Sequence, residues 1–119
     1  MIFIIDSDVE MSTCLARACD GYETRVFHNA IDAMQGLNDV LPELILMDIM
    51  LTGPDGFSFL NELIGYDDTS KIPVVIISEL DLASVDLSVY NVVGALNKDT
   101  MRPEDVKKYI TKYGLLKDA

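Results

Sequence analysis

Leu44-Ile45-Leu46-Met47-Asp48, continued by Ile49-Met50-Leu51-Thr52-Gly53-Pro54-Asp55-Gly56, is the stretch on which the reading of this chain turns. A short unbroken apolar run that stops at a cluster of turn residues has the character of a strand buried on both faces, as in a parallel sheet. Gly53-Pro54-Asp55-Gly56 ends the run and turns the chain toward a helix. Asp48 then stands at the C-terminal tip of a central strand, where open α/β sheets bind ligands. A carboxylate in that position serves as a ligand, as a nucleophile or as the cap of the next helix.

Working outward, the same alternation recurs. Ile2-Phe3-Ile4-Ile5 forms a short strand ending on Asp6, and Asp8 caps a helix through Cys19 with Met11, Leu15 and Ala18 on one face. Gly21 closes that helix, and Tyr22 to Phe27 has the β-branched and aromatic content of a second strand. Asn29 caps a helix with Ala33, Met34, Leu37 and Leu41 inward, followed by Pro42. After the Asp48 strand comes a helix bearing Phe57, Leu60 and Ile64. Pro73 opens the strand Val74-Val75-Ile76-Ile77, which ends on Ser78. A short helix is expected from Leu82 to Tyr90, then a weak strand from Val92 to Asn97, then Lys98. The last helix begins at Pro103, with Glu104 and Asp105 in its first turn and Val106, Ile110 and Tyr113 inward. Five strand–helix units predict a doubly wound α/β fold, a five-stranded parallel sheet with helices on both faces and right-handed crossovers. The 119 residues are read as one domain, 1–119.

Composition removes several function classes. With a net charge of −11 and no Lys/Arg cluster, the chain is not suited to a nucleic-acid surface. Its acidity fits partners that are proteins or cations. No apolar run approaches the ~20 residues of a membrane span, and Met1 leads directly into a strand, so a cytoplasmic location is expected. Cys14 and Cys19 are too few for a disulfide framework and read as reduced thiols. His28 reads as a surface or capping residue. Met34, Met47 and Met50 read as core or crevice filler, and Asp55, Asp67 and Asp68 as solvated turn residues.

In a parallel sheet every C-terminal tip opens on one edge, so Asp6, Asp48, Ser78 and Lys98 converge there. Two neighbouring carboxylates repel unless a cation joins them. Hard oxygen ligands of this kind suit Mg²⁺, and a hydroxyl and an ammonium group opposite suit a phosphoryl group. The constellation points to phosphoryl chemistry with an Asp as acceptor or metal ligand.

At these residues the chain resembles the receiver domain of response regulators of two-component systems. The likeness covers nearly the whole length: the acid after the first strand, Asp48-Ile49-Met50-Leu51 with Gly53, Asp55 and Gly56, the run to Ser78, and Lys98. It implies a flavodoxin-like receiver fold in which Asp48 accepts phosphate from a histidine kinase, a phosphotransfer protein or a small phosphodonor. It also implies that Asp6, Asp48 and the main-chain carbonyl of Met50 hold Mg²⁺, that Ser78 is the switch hydroxyl, and that Lys98 meets the phosphoryl oxygens. The protein is then a signalling protein and not an enzyme. Output passes to a downstream protein or output domain, or through a homodimer, by a face that includes Leu87, Tyr90, Ala95 and residues after Arg102.

Four positions depart from the family pattern. Ser7 replaces the second of two adjacent acids, and Asp8, one residue further on, faces the helix start. Glu79 stands where Ala or Gly is usual, either repelling an incoming dianion or pairing with Lys98. Ala95 replaces the switch aromatic, and Thr52 replaces a loop Pro. These departures leave open a pseudo-receiver that works by protein contact without phosphorylation. A haloacid-dehalogenase-like phosphatase using Asp6 of Asp6-Ser7-Asp8 is the remaining alternative, although no strand with paired acids follows Lys98.

Overall fold

The computed structural model describes residues 1–116. Five strands, β1 (Ile2–Ile5), β2 (Thr24–Phe27), β3 (Leu44–Met47), β4 (Val74–Ser78) and β5 (Val92–Asn97), are joined by helices α1 (Val9–Ala18), α2 (Ala30–Asp39) and α3 (Gly56–Ile64) except between β4 and β5, and α4 (Pro103–Tyr113) follows β5. All four strand pairings are parallel, in the order β2-β1-β3-β4-β5. The chain winds outward one way from β1 to β2 and the other way from β3 onward. The winding therefore reverses between β1 and β3, and a crevice opens beyond their tips.

Side chains alternate across each strand, so the sheet divides the core in two. Ile2, Ile4, Leu44, Leu46, Val75 and Ile77 pack against Leu15, Val106 and Ile110 of α1 and α4. Phe3, Ile5, Ile45, Met47, Val74 and Ile76 pack against Ala33 of α2 and Phe59, Leu60 and Leu63 of α3. Burial of β1 and β3 on both faces explains their unbroken apolar sequences. Each such side chain contributes about 1.5–3 kcal/mol relative to an exposed one.

The helix ends follow their capping residues. Asp8 accepts hydrogen bonds from the amides of Glu10 and Met11, Asn29 from Asp32 and Asp55 from Ser58. Asp55 is therefore the cap of α3, a more definite role than the solvated turn residue expected of it. Arg102 precedes Pro103, and its amide donates to the Asp105 carboxylate at 2.8 Å. Gly21, two residues beyond the Cys19 cap, has φ +91° and supplies a turn that a side chain would strain.

The expectation of a helix from Leu82 to Tyr90 is overturned: the β4–β5 connection consists of turns. The Asp81 and Asp86 carboxylates accept from the amides of Ala83 and Ser88, at 3.0 Å each, offering the backbone local bonds that compete with a helix. Val85, Val89, Ser84 and Ser88 weaken helix propensity further. Leu82, Leu87 and Tyr90 still pack onto the core from this loop. The Tyr90 hydroxyl donates to Asn61 Oδ1 at 2.7 Å, tying the loop to α3.

Smaller corrections concern faces and ends. Ile64 and Leu41 are exposed, and Leu63 takes the inward position on α3. β2 begins at Thr24, while Tyr22 forms an isolated antiparallel bridge with Leu116.

Candidate functional site

The sheet's own hydrogen bonds place the tips. Asp6 N donates to Phe27 O, Asp48 N to Ile5 O and Lys98 N to Ser78 O, at 3.0, 2.9 and 3.0 Å. Each bond continues a strand ladder one residue past its end. Residues far apart in sequence are thereby held side by side.

Asp6, Asp48 and Lys98 form one ion cluster. Lys98 Nζ lies 2.7 Å from Asp48 Oδ2 and 2.8 Å from Asp6 Oδ2. The side chains of Lys98, Asp6 and Asp48 are 8%, 1% and 7% exposed, so water screens the contacts weakly. The two outer oxygens are held by the chain itself: Asp8 N donates to Asp6 Oδ1 at 2.8 Å, and Met50 N to Asp48 Oδ1 at 3.0 Å. The Lys98–Asp48 contact is a directed hydrogen bond, whereas Asp6 Oδ2 is buried without one. Its contact with the ammonium, at 2.8 Å, is an ion pair less well aligned than the one to Asp48. Burial opposes the charge on Lys98, but Asp48 and then Asp6 outweigh it and hold its pKa above the ordinary lysine value.

Ser78 is buried at the same edge, yet its hydroxyl oxygen accepts from Leu80 N at 3.2 Å. The hydroxyl belongs to the turn that leaves β4. Met50 joins the cluster through its amide, and its side chain is exposed, so it fills neither core nor crevice. Met47 is fully buried, as expected.

The departing positions are also placed. Ser7 is exposed, and Asp8 is spent on capping α1, which leaves Asp6-Ser7-Asp8 without two carboxylates turned to one point. Glu79 is exposed, and the ion pairs of Lys98 go to Asp6 and Asp48. A Glu79–Lys98 pair is therefore not the arrangement formed. Lys98 reaches inward to the buried pair, where its attraction to a carboxylate is stronger than at the surface. Ala95 is exposed beside Leu80, Asp81, Leu82 and Ala83 in an open groove of about 280 Å³.

His28 has a part that its sequence reading missed. Its Nδ1–H donates to the main-chain carbonyl of Asp6 at 2.9 Å, bracing the residue that leaves β1. The parallel register Ile5↔Phe27 places the residue after Phe27 beside Asp6, and a topology drawn from the sequence could have shown this. Thr52 bridges to Asn29, closing the Asp48 loop against the start of α2. Ser7, His28, Asn29, Thr52, Gly53 and Pro54 line an open crevice of about 540 Å³ beside the cluster.

Among the described residues no three His, Cys, Asp or Glu side chains form a metal-binding group. The metal-ligating groups present are two buried carboxylates, one with a buried oxygen lacking a directed hydrogen bond. Mg²⁺ is held by one or two carboxylates with several waters, so this reduced set still fits such an ion.

The fold and sequence have counterparts among known proteins. The family profile described as "Response regulator receiver domain" matches residues 2–111. Response regulator PleD of Caulobacter vibrioides is 34% identical over 83 residues, covering 67% of this chain and 18% of PleD. The chain thus spans under a fifth of that relative's length. The receiver domain of NtrX from Brucella abortus superposes with a TM-score of 0.81 at 24% identity, covering 94% of this chain and 96% of that one. The Mn²⁺-bound form of response regulator Rcp1 gives a TM-score of 0.78 at 20% identity, covering 92% and 91% of the two chains.

Proposed function

The chain belongs to the response regulator receiver domain family of two-component signalling, and on that premise we propose that Asp48 is its phosphoacceptor. The observation that carries the reading is the Asp48 carboxylate at the crevice mouth, 2.7 Å from the Lys98 ammonium. An Asp48 oxygen attacks phosphorus, and the O–P bond forms as the bond to the donor breaks. With a phosphohistidine donor the P–N bond breaks and its electron pair stays on that nitrogen; the other ring nitrogen already carries a proton, so the donor leaves as neutral imidazole. Lys98 compensates the charge gathering on the phosphoryl oxygens. The Ser78 hydroxyl can donate to one of those oxygens while still accepting from Leu80 N.

Asp6, Asp48 and the Met50 carbonyl are the groups that would hold Mg²⁺, which supplies positive charge to the phosphoryl oxygens when bound. Response regulator Rcp1, which shares the fold, has a Mn²⁺-bound form, which makes a divalent cation a reasonable ligand to test here. Receiver domains work with histidine kinases and output domains. The donor for this chain is read as a histidine kinase or phosphotransfer protein, and the receiver as a protein or domain contacted through the β4–β5 loop, β5 and α4. None of the helices among the described residues is long and apolar enough to cross a membrane.

A second reading, a module acting by protein contact alone, draws on exposed Ser7, Glu79 and Ala95. Incubation with acetyl phosphate and Mg²⁺, followed by intact mass, separates the two. A phosphoryl adduct on wild type that is lost in Asp48→Asn supports the proposal. No adduct on wild type and none on Glu79→Ala rejects it.

A further inference from the structure

Every polar atom of Asp6 meets a partner, each from a different residue. Its amide donates to Phe27 O at 3.0 Å, and its Oδ1 accepts from Asp8 N at 2.8 Å. Its Oδ2 faces Lys98 Nζ at 2.8 Å, and its main-chain carbonyl accepts from His28 Nδ1–H at 2.9 Å. The bond to the carbonyl is the one that the sheet does not supply. Since Asp6 N reaches Phe27 O in the parallel register of β1 with β2, the amide due to reach Asp6 O in return is that of Asn29. Asn29 instead caps α2, and the chain turns away there. The imidazole of His28 stands in for a ladder bond where the backbone of β2 leaves the sheet. The ring is otherwise exposed, at the rim of the crevice lined by Ser7, Asn29, Thr52 and Pro54.

We infer that His28 is a positioning residue: by bonding the Asp6 carbonyl it locks the turn that aims the Asp6 carboxylate at Lys98, beside Asp48. The Asp8 N–H bond to Oδ1 closes an Asx-type turn over the Asp6–Ser7 peptide. That peptide is planar, so holding its carbonyl toward β2 fixes the direction in which the chain leaves for Asp8. Released from His28, the carbonyl of this buried residue turns toward water beside the exposed Ser7. Asp8 N then draws away from Oδ1, and the carboxylate loses one of the two contacts that aim it. His28 acts through Asp6 and not on a reacting group. Its consequence for phosphoryl transfer rests on the reading of Asp48 as phosphoacceptor; its hold on Asp6 does not.

The test compares wild type with three variants of the whole chain. His28→Asn keeps an N–H the same number of bonds from Cβ as Nδ1–H, His28→Phe keeps a ring without a donor, and His28→Ala keeps neither. NMR reads the Ser7 amide nitrogen, which shares its peptide with the Asp6 carbonyl, and the hydrogen exchange of the Asp8 amide. In the Phe and Ala variants the Ser7 nitrogen moves and Asp8 exchanges faster, while the Asn variant stays near wild type. Adduct formation with acetyl phosphate and Mg²⁺, followed by intact mass, slows in the Phe and Ala variants by roughly three- to tenfold, the range spanned by loss of one ordinary hydrogen bond. Ser7 and Asp8 signals unchanged in both variants overturn the inference, whatever happens to the thermal midpoint. An Asn variant no closer to wild type than the Phe variant overturns it too, as does adduct formation by the Phe variant at the wild-type rate. A wild type that takes no adduct counts against Asp48 as phosphoacceptor, and the two amides then decide the role of His28 alone.

Discussion

Gly56→Ala tests whether the packing under the Asp48 loop sets the position of the carboxylate. Gly56 opens α3, and its amide donates to Ile49 O at 2.8 Å, closing the loop that begins at Asp48. A Cβ built there would lie 2.6 Å from Ile49 Cα, 2.9 Å from Met47 Cε and 3.0 Å from Asp48 O. Carbon atoms in comfortable contact are ~3.5–4.0 Å apart, so the closest overlap is near 1 Å. Two of the three atoms are backbone and cannot escape by changing rotamer. Overpacking of this kind costs about 1–3 kcal/mol, and the better helix propensity of Ala returns up to about 1 kcal/mol. The net expectation is a loss of about 1–2 kcal/mol, a sizeable share of a total stability of roughly 5–15 kcal/mol. With a urea m-value of about 2 kcal/mol/M, the midpoint followed by far-UV circular dichroism falls by about 0.5–1 M. The amide resonances of Asp48 and Met50 move as well, because the clash pushes on both. Gly53→Ala is the control. It has φ +77° but no atom within 4 Å of a new Cβ, so it costs strain without pressing on the carboxylate. A Gly56→Ala protein as stable as wild type, with both amides unmoved, would refute the reasoning.

Further expectations concern charge and thiols. Folding raises the Lys98 pKa, so the stability it brings is complete below its ordinary value of 10.5 and is lost as pH climbs through the higher folded value. The stability gap between wild type and Lys98→Met should therefore narrow above pH 10.5, and a gap that stays constant would contradict the ion cluster. Glu79→Ala should gain acetyl phosphate adduct faster than wild type, most visibly at low salt; equal rates at every ionic strength would exclude a charge effect of the exposed carboxylate. Cys14 should react with iodoacetamide in the native protein, while Cys19, buried and with its pKa pushed up to about 11, should react only on unfolding. Simultaneous modification of both under native conditions would show that α1 opens far more readily than its packing implies.

Much of this protein is legible from the chain alone, because backbone and burial periodicities are local. The runs at Ile2–Ile5 and Leu44–Met47 announce strands covered on both faces, and Asp8, Asn29 and Pro103 mark the starts of three helices. The meeting of Asp6, Asp48, Ser78 and Lys98 was equally legible, since parallel strands bring their ends to one edge whatever the loops do. The helix expected between Leu82 and Tyr90 was not, because its apolar spacing fits a helix while Asp81 and Asp86 bind their own following amides. The outward turn of Leu41 and Ile64 depends on where each helix ends against the sheet, which spacing alone does not fix.

Asp48, as the last residue of an apolar run before Gly53-Pro54-Asp55-Gly56, was determined by sequence, because a strand, its end and its turn are properties of neighbouring residues. What the carboxylate faces was decided by tertiary structure. Lys98 is 50 residues away and could have reached Glu79, yet the fold turns it inward to Asp48 and Asp6. Burial opposes its charge, but its attraction to the two acids is strongest where water is excluded and outweighs that cost, and only the assembled sheet creates that place.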